Sequence, residues 1–152
     1  MTQCFLLRHA DAGSRGIQND AQRTLSRRGR TQADALVAQF AGAGITVIRS
    51  SPYARCMETV APLAAASTAV AEPDASLGEG TGAAPTLALI EAATVPTILC
   101  SHGDVIGEVM HTIARRGVSL DDDRLAKAST WVITVTDGEI TAATYLPPPT
   151  CP

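Results

Sequence analysis

Leu6-Leu7-Arg8-His9-Ala10-Asp11-Ala12-Gly13 is the stretch from which the rest of the chain can be read, because an apolar run passes there into a Gly-containing loop through a cation and an imidazole. The run Cys4-Phe5-Leu6-Leu7 is short and unbroken, the pattern of a strand buried on both faces of a parallel sheet. In open α/β sheets ligands bind beyond the carboxyl ends of the strands, so Arg8 and His9 are expected at the mouth of a site.

The composition narrows what such a site can serve. A chain of 152 residues with 45% hydrophobic side chains fills one core and gives no sign of a second. Aromatic residues make up only 3%, which leaves little for base stacking, and a net charge of −3 argues against general nucleic-acid binding. Cys4, Cys56, Cys100 and Cys151 form no Cys-x-x-Cys pair, so neither structural zinc nor a redox motif is expected, and Cys4 and Cys100 read as core residues. No apolar segment has the length of a membrane span or of a secretory h-region before the first strand, so a cytoplasmic protein is expected.

Ser26 is placed to cap a helix whose Ala33, Leu36, Val37 and Phe40 form one apolar face, with Gly42 and Gly44 beyond it. Thr46 to Ser50 reads as a second strand. Ser51-Pro52 reads as cap and first turn of a second helix, with Arg55 near its start and Pro62 as a kink or early end. Thr68 to Glu72 is a candidate third strand. Pro73 to Pro85, rich in Gly, Pro, Ser and Thr and containing Leu77-Gly78-Glu79-Gly80, reads as a mobile loop, followed by a short helix from Pro85 to Ala93. Thr97 to Ser101 is a fourth buried strand ending in His102-Gly103-Asp104. The helix after it buries Val105, Ile106, Val109, Met110 and Ile113 and closes at Arg115-Arg116-Gly117. Thr130 to Val135 and Ile140 to Tyr145 flank Thr136-Asp137-Gly138-Glu139, a hairpin signal. The alternation predicts a three-layer α/β/α sandwich with a mostly parallel sheet and an antiparallel strand near the C-terminus. One domain is expected over residues 1–146, with a Pro-rich tail at 147–152.

Arg8 and His9, Arg55, and His102 then fall on one edge of the sheet. Two guanidinium groups, two imidazoles and a helix N-terminus form an anion pocket suited to a phosphoryl group. Cations beside an imidazole disfavour its protonation, which leaves a nitrogen lone pair able to attack phosphorus. In-line positioning and charge neutralisation are most of what phosphoryl transfer needs from a protein. Glu79 is the candidate proton donor to the leaving group, and Arg23 is a possible substrate contact.

Leu7-Arg8-His9, then Ser51-Pro52-Tyr53-Ala54-Arg55-Cys56-Met57-Glu58-Thr59, Leu77-Gly78-Glu79 and Ser101-His102-Gly103 occur in the order seen in the histidine phosphatase superfamily, also called phosphoglycerate mutase-like, which the chain resembles over residues 4–145. The resemblance implies a phosphohistidine intermediate on His9, phosphate contacts from Arg8, Arg55 and His102, and an acid role for Glu79; no metal or other cofactor is expected. Arg23-Thr24-Leu25-Ser26 with Gly29 is most similar to the short phosphohistidine phosphatases and to phosphatase domains fused to some Nudix hydrolases; Lys127-Ala128-Ser129-Thr130-Trp131 is similar to the latter. Two positions depart from the family pattern: Ala10 stands where Gly is usual, and Arg15 where many members have Asn.

The expected substrate is a phosphorylated small molecule or a phosphohistidine protein, with no nucleic acid and no membrane as partner. The short region between the third and fourth strands leaves the pocket open. Three alternatives are weighed beside it: a phosphate-binding module without turnover, a phosphomutase, and a metal-dependent hydrolase using His9-Ala10-Asp11 and His102-Gly103-Asp104. The two arginines oppose the last by repelling cations.

Overall fold

The computed structural model describes residues 1–16 and 19–151. Its strands are β1 (Thr2–Arg8), β2 (Val47–Ser50), β3 (Ala71–Pro73), β4 (Thr97–Ser101), β5 (Thr130–Thr136) and β6 (Glu139–Leu146). Its helices are α1 (Arg27–Gln39), α2 (Ala54–Ala65), α3 (Ala84–Glu91) and α4 (Gly103–Arg115). The strands form one sheet in the order β3-β2-β4-β1-β5-β6. β3, β2, β4 and β1 are parallel to one another, β5 runs antiparallel to β1, and β6 turns back against β5.

β1 shows why the apolar run is continuous. Cys4 and Leu6 face the core that α3 and α4 cover, while Phe5 and Leu7 face the core that α1 and α2 cover. Successive side chains point to opposite faces, so a strand with helices on both sides needs apolar residues at every position. β4 is buried throughout for the same reason. The expected three-layer sandwich is therefore present, and Trp131 belongs to its core at 1% exposure. The five apolar residues expected on the inner face of α4 are its buried ones. Between β5 and β6, Asp137 and Gly138 both have positive φ, as a two-residue hairpin turn requires.

Strand register brings the ends of the central strands level. Arg8 pairs with Ser101 across β1 and β4, and Ser50 pairs with Cys100 across β2 and β4. The residues that follow, His9, Ser51 and His102, leave the sheet side by side. Their position is a consequence of parallel topology.

Four local expectations are corrected. α2 begins at Ala54 with Tyr53 as N-cap and no side-chain cap; the Ser51 hydroxyl lies against the His102 ring and accepts the Tyr53 N–H at 3.3 Å, just ahead of the helix. Pro62 does not end α2, which continues to Ala65. The third strand is Ala71–Pro73, set by pairing of Ile48 with Ala71 and Arg49 with Glu72. Residues 73–85 are tied down instead of forming a mobile loop. Asp74 caps a single 3₁₀ turn over Ala75–Leu77, Leu77 is fully buried, and its carbonyl accepts the Ser101 hydroxyl at 2.7 Å. The Gly80 N–H donates to Asp104 at 2.8 Å. Glu79 is thus held between two fixed points. After β6 residues 147–151 have no regular structure, and Pro152 of the expected tail lies outside the described residues.

Candidate active site

The loop after β1 is anchored by its neighbours. The His9 N–H donates to the Ser101 carbonyl at 3.1 Å, the Ala10 N–H to the Thr59 hydroxyl at 2.9 Å, and the Asp11 N–H to Gln32 at 2.9 Å. These contacts hold His9 in place at 5% exposure. Its Nδ1 lies 2.8 Å from the Ala10 carbonyl, so Nδ1 carries the proton that is donated there and Nε2 keeps its lone pair. Burial pushes the imidazole down to about 3, and His102, Arg55 and Arg8 add smaller pressure in the same direction, against the Ala10 bond. The expectation of a neutral histidine holds, with burial rather than the arginines as the larger cause.

Arg8 reaches across to the Leu125 carbonyl and lies against the backbone of Gly103. A Cβ at Gly103 would come within 2.9 Å of Arg8 Cζ, so glycine is required for that approach. Arg55, in the first turn of α2, is 1% exposed. Its Nη1 donates to the Asp20 carbonyl at 2.8 Å, and its Nη2 lies 3.1 Å from the Asp20 carboxylate and 3.4 Å from Glu79 Oε1. Glu79 Oε2 faces Arg15 at 3.4 Å.

His102 packs beside His9 with ring centroids 5.5 Å apart. Its Nε2 is 2.8 Å from the Ser51 hydroxyl and its Nδ1 is 3.4 Å from Arg55 Nη2. Arg8, His9, Arg15, Arg23, Arg55, Glu79, Asp104 and Lys127 line one cavity of about 380 Å³. That wall carries five cations and two carboxylates, an excess of positive charge for an anionic ligand. His102 stays behind the wall at 1% exposure. Arg23 is more than a surface arginine: its side chain is 11% exposed and donates to Asp20 and to the carbonyls of Ala12 and Gly13. Among the described residues, the Nε atoms of Arg8 and Arg55 are buried without a partner.

Asp20 lies outside every motif, and Ser51, Tyr53 and Cys56, which stand in the motif around Arg55, join the site through contacts that the motif does not specify. Asp20 ties together Arg55, Arg23 and, at 3.8 Å, Arg15. Burial works to raise its carboxyl, and the three guanidinium groups outweigh it and hold the group below the usual range. The Tyr53 ring lies 5.0 Å from Arg55 Cζ and meets the His102 ring edge-on at 4.8 Å. Cys56 Sγ is 3.6 Å from His102 Nε2. No spacing rule marks Asp20, because it is recruited by tertiary contact with distant arginines. Asp11 and Asp104 are turned to Ser26 with Lys127 and to Gly80, and among the described residues no three metal-ligating side chains converge.

This arrangement is that of a phosphoglycerate mutase-like histidine phosphatase fold. Residues 4–95 match the histidine phosphatase superfamily (branch 1), and the chain belongs to that family. It is 37% identical over 154 residues to the 8-oxo-(d)GTP phosphatase of Mycolicibacterium smegmatis, an alignment covering 95% of this chain and 48% of that protein. The chain thus spans about half the length of that curated relative. Among solved structures it is similar to the protein histidine phosphatase SixA complexed with tungstate, at a TM-score of 0.74, 18% identity, and coverage of 94% of this chain and 93% of that one. YhfR of Bacillus stearothermophilus superposes at a TM-score of 0.75 with 14% identity, covering 92% of this chain and 94% of that one. These two likenesses show the fold. Among the described residues no helix is long and apolar enough to cross a membrane.

Proposed function

We propose that the chain is a phosphatase that transfers the phosphoryl group of a phosphate monoester or phosphohistidine to His9 and then to water. The observation that carries this reading is His9 itself: a buried neutral imidazole whose Nδ1 is committed to a backbone carbonyl and whose Nε2 is free, beside two guanidinium groups in a cation-lined cavity. In the first step the Nε2–P bond forms and the bond from phosphorus to the leaving group breaks. Arg8 and Arg55 neutralise the equatorial oxygens, and Arg23 contacts the substrate. His102 supports Arg55 from behind: its Nδ1 accepts from Arg55 Nη2 at 3.4 Å and holds the guanidinium toward the transferred group. Glu79, on the same wall, gives the leaving group its proton and takes one back from the attacking water as the N–P bond breaks. Inorganic phosphate leaves and neutral His9 is restored.

The reading includes a cytoplasmic location, where the thiols of Cys4, Cys56 and Cys100 stay reduced. For the substrate, an open cavity suits a phosphohistidine presented by another protein, whereas the name of the Mycolicibacterium relative favours a nucleotide. Wild type and His9→Ala are to be assayed on 4-nitrophenyl phosphate and on a phosphohistidine protein. A fall of about 10³-fold or more in kcat is expected for the variant. If both proteins bind phosphate and neither turns over any phosphoester, the chain is a binding module instead.

A further inference from the structure

A larger cavity adjoins the first. Lys127 lines both, and the second, about 760 Å³, continues past Asp11 to the start of α1 and the residues after β6. Its volume is that of a small-molecule site. Arg27 and Arg28 line it, are exposed, and among the described residues have no carboxylate within ion-pair distance. Gln32 also lines it and is only 6% exposed; its Oε1 accepts the Asp11 N–H, which leaves the Nε2 donors for the cavity. Asp11, the one acidic residue on this wall, is already engaged: the Ser26 hydroxyl donates to it at 2.6 Å and Lys127 pairs with it at 3.3 Å. The Ser26 bond is the main reason its carboxyl lies below the usual range. Pro148, Pro149 and Cys151 also line the cavity, and the lining offers no aromatic face for a base to stack on. Donors and cations thus outnumber acceptors in a cavity that shares Lys127 with the phosphoryl pocket.

We infer that this second cavity holds the leaving group, and that the leaving group carries a phosphate of its own: the substrate is a small organic molecule with two phosphoryl groups, one at His9 and the other over Lys127, Arg27 and Arg28. The inference rests on the phosphatase reading above and narrows it. Two guanidinium groups and an ammonium gain most from a dianion, and a phosphate accepts forked hydrogen bonds from arginine.

The test compares fructose 1,6-bisphosphate with fructose 6-phosphate in wild type, Arg27→Ala/Arg28→Ala and Arg27→Lys/Arg28→Lys. In wild type at low salt, kcat/KM for the bisphosphate should exceed that for the monophosphate by about tenfold. The double alanine variant and 0.5 M KCl should both remove the preference, and the lysine variant should keep part of it. The same ratio in wild type and the alanine variant overturns the inference, as does a phosphohistidine protein turned over far faster than either sugar phosphate. Calorimetric binding of the bisphosphate to His9→Ala, with and without the two arginines, separates the claims. Tenfold tighter binding with the arginines supports the subsite even without turnover, and equal binding rejects it; loss of the phosphatase reading shows instead as full activity in His9→Ala.

Discussion

His9 is held neutral by its surroundings, and that has a consequence for stability as well as for chemistry. Its folded-state value is near 3 against 6.5 for a free imidazole, so between those values only the unfolded chain takes up the proton. Stability from this group is present above about pH 6.5 and is lost as pH falls toward 3. On moving from pH 7 to pH 4.5, wild type should lose about 2 kcal/mol more than His9→Asn in urea unfolding. Equal losses would mean that the ring is solvated. Asp20 has a related role through Arg55, the most deeply buried cation of the site. Asp20→Asn removes the charge that faces Arg55, Arg23 and Arg15, and kcat/KM should fall about tenfold with most of the change in KM. A change confined to melting temperature would leave Asp20 a purely structural residue. Arg8, His9, Arg55, Glu79 and His102 could be found from sequence because each stands in a short run with a strand end, helix start or glycine beside it. Asp20 could not: its importance arises from arginines distant in sequence, at positions 15, 23 and 55, meeting one carboxylate.

At the scale of elements, two glycines separate what holds the fold from what aims the site. A Cβ on Gly29 would lie 1.9 Å from the Asp11 carbonyl oxygen, a backbone atom that cannot step aside. Gly29→Ala should therefore cost about 3 kcal/mol by forcing α1 away from the loop after β1. At Gly103 the collision is with the far end of a side chain, Arg8 Cζ at 2.9 Å and Nη2 at 3.0 Å. Gly103→Ala should melt near the wild-type temperature and lose about tenfold in kcat/KM, because only the guanidinium moves. Comparable loss of stability in both variants would contradict this division. Element boundaries show where local rules gave way. Ser26 caps α1 as expected, donating to Asp11 and accepting the Gly29 N–H. Ser51 has the same cap chemistry in its sequence, but its hydroxyl meets the His102 imidazole and the Tyr53 N–H, and α2 starts later. Residues 73–85 look mobile by composition, yet Leu77 enters the core and Asp104 and Ser101 hold the segment from outside it.

For the whole molecule, function follows from strand order. Placing β4 between β1 and β2 sets three strand ends level, and residues 9, 51 and 102 meet although no local pattern links them. The layered, mostly parallel architecture was legible because strands and helices alternate with few ambiguous segments, whereas the strand order is set by tertiary pairing that no local pattern marks. The second cavity was not legible, since it depends on the residues after β6 folding back beside α1 and Lys127. The most direct measurement of the central claim is a rapid acid-free or alkaline quench of the enzyme during turnover of ³²P-labelled substrate, with the labelled peptide mapped by mass spectrometry. The account predicts a phosphoramidate on His9 that forms and decays at the rate of turnover and is missing from His9→Ala. Normal turnover with the label on another residue, or with no labelled protein at any time, would contradict it.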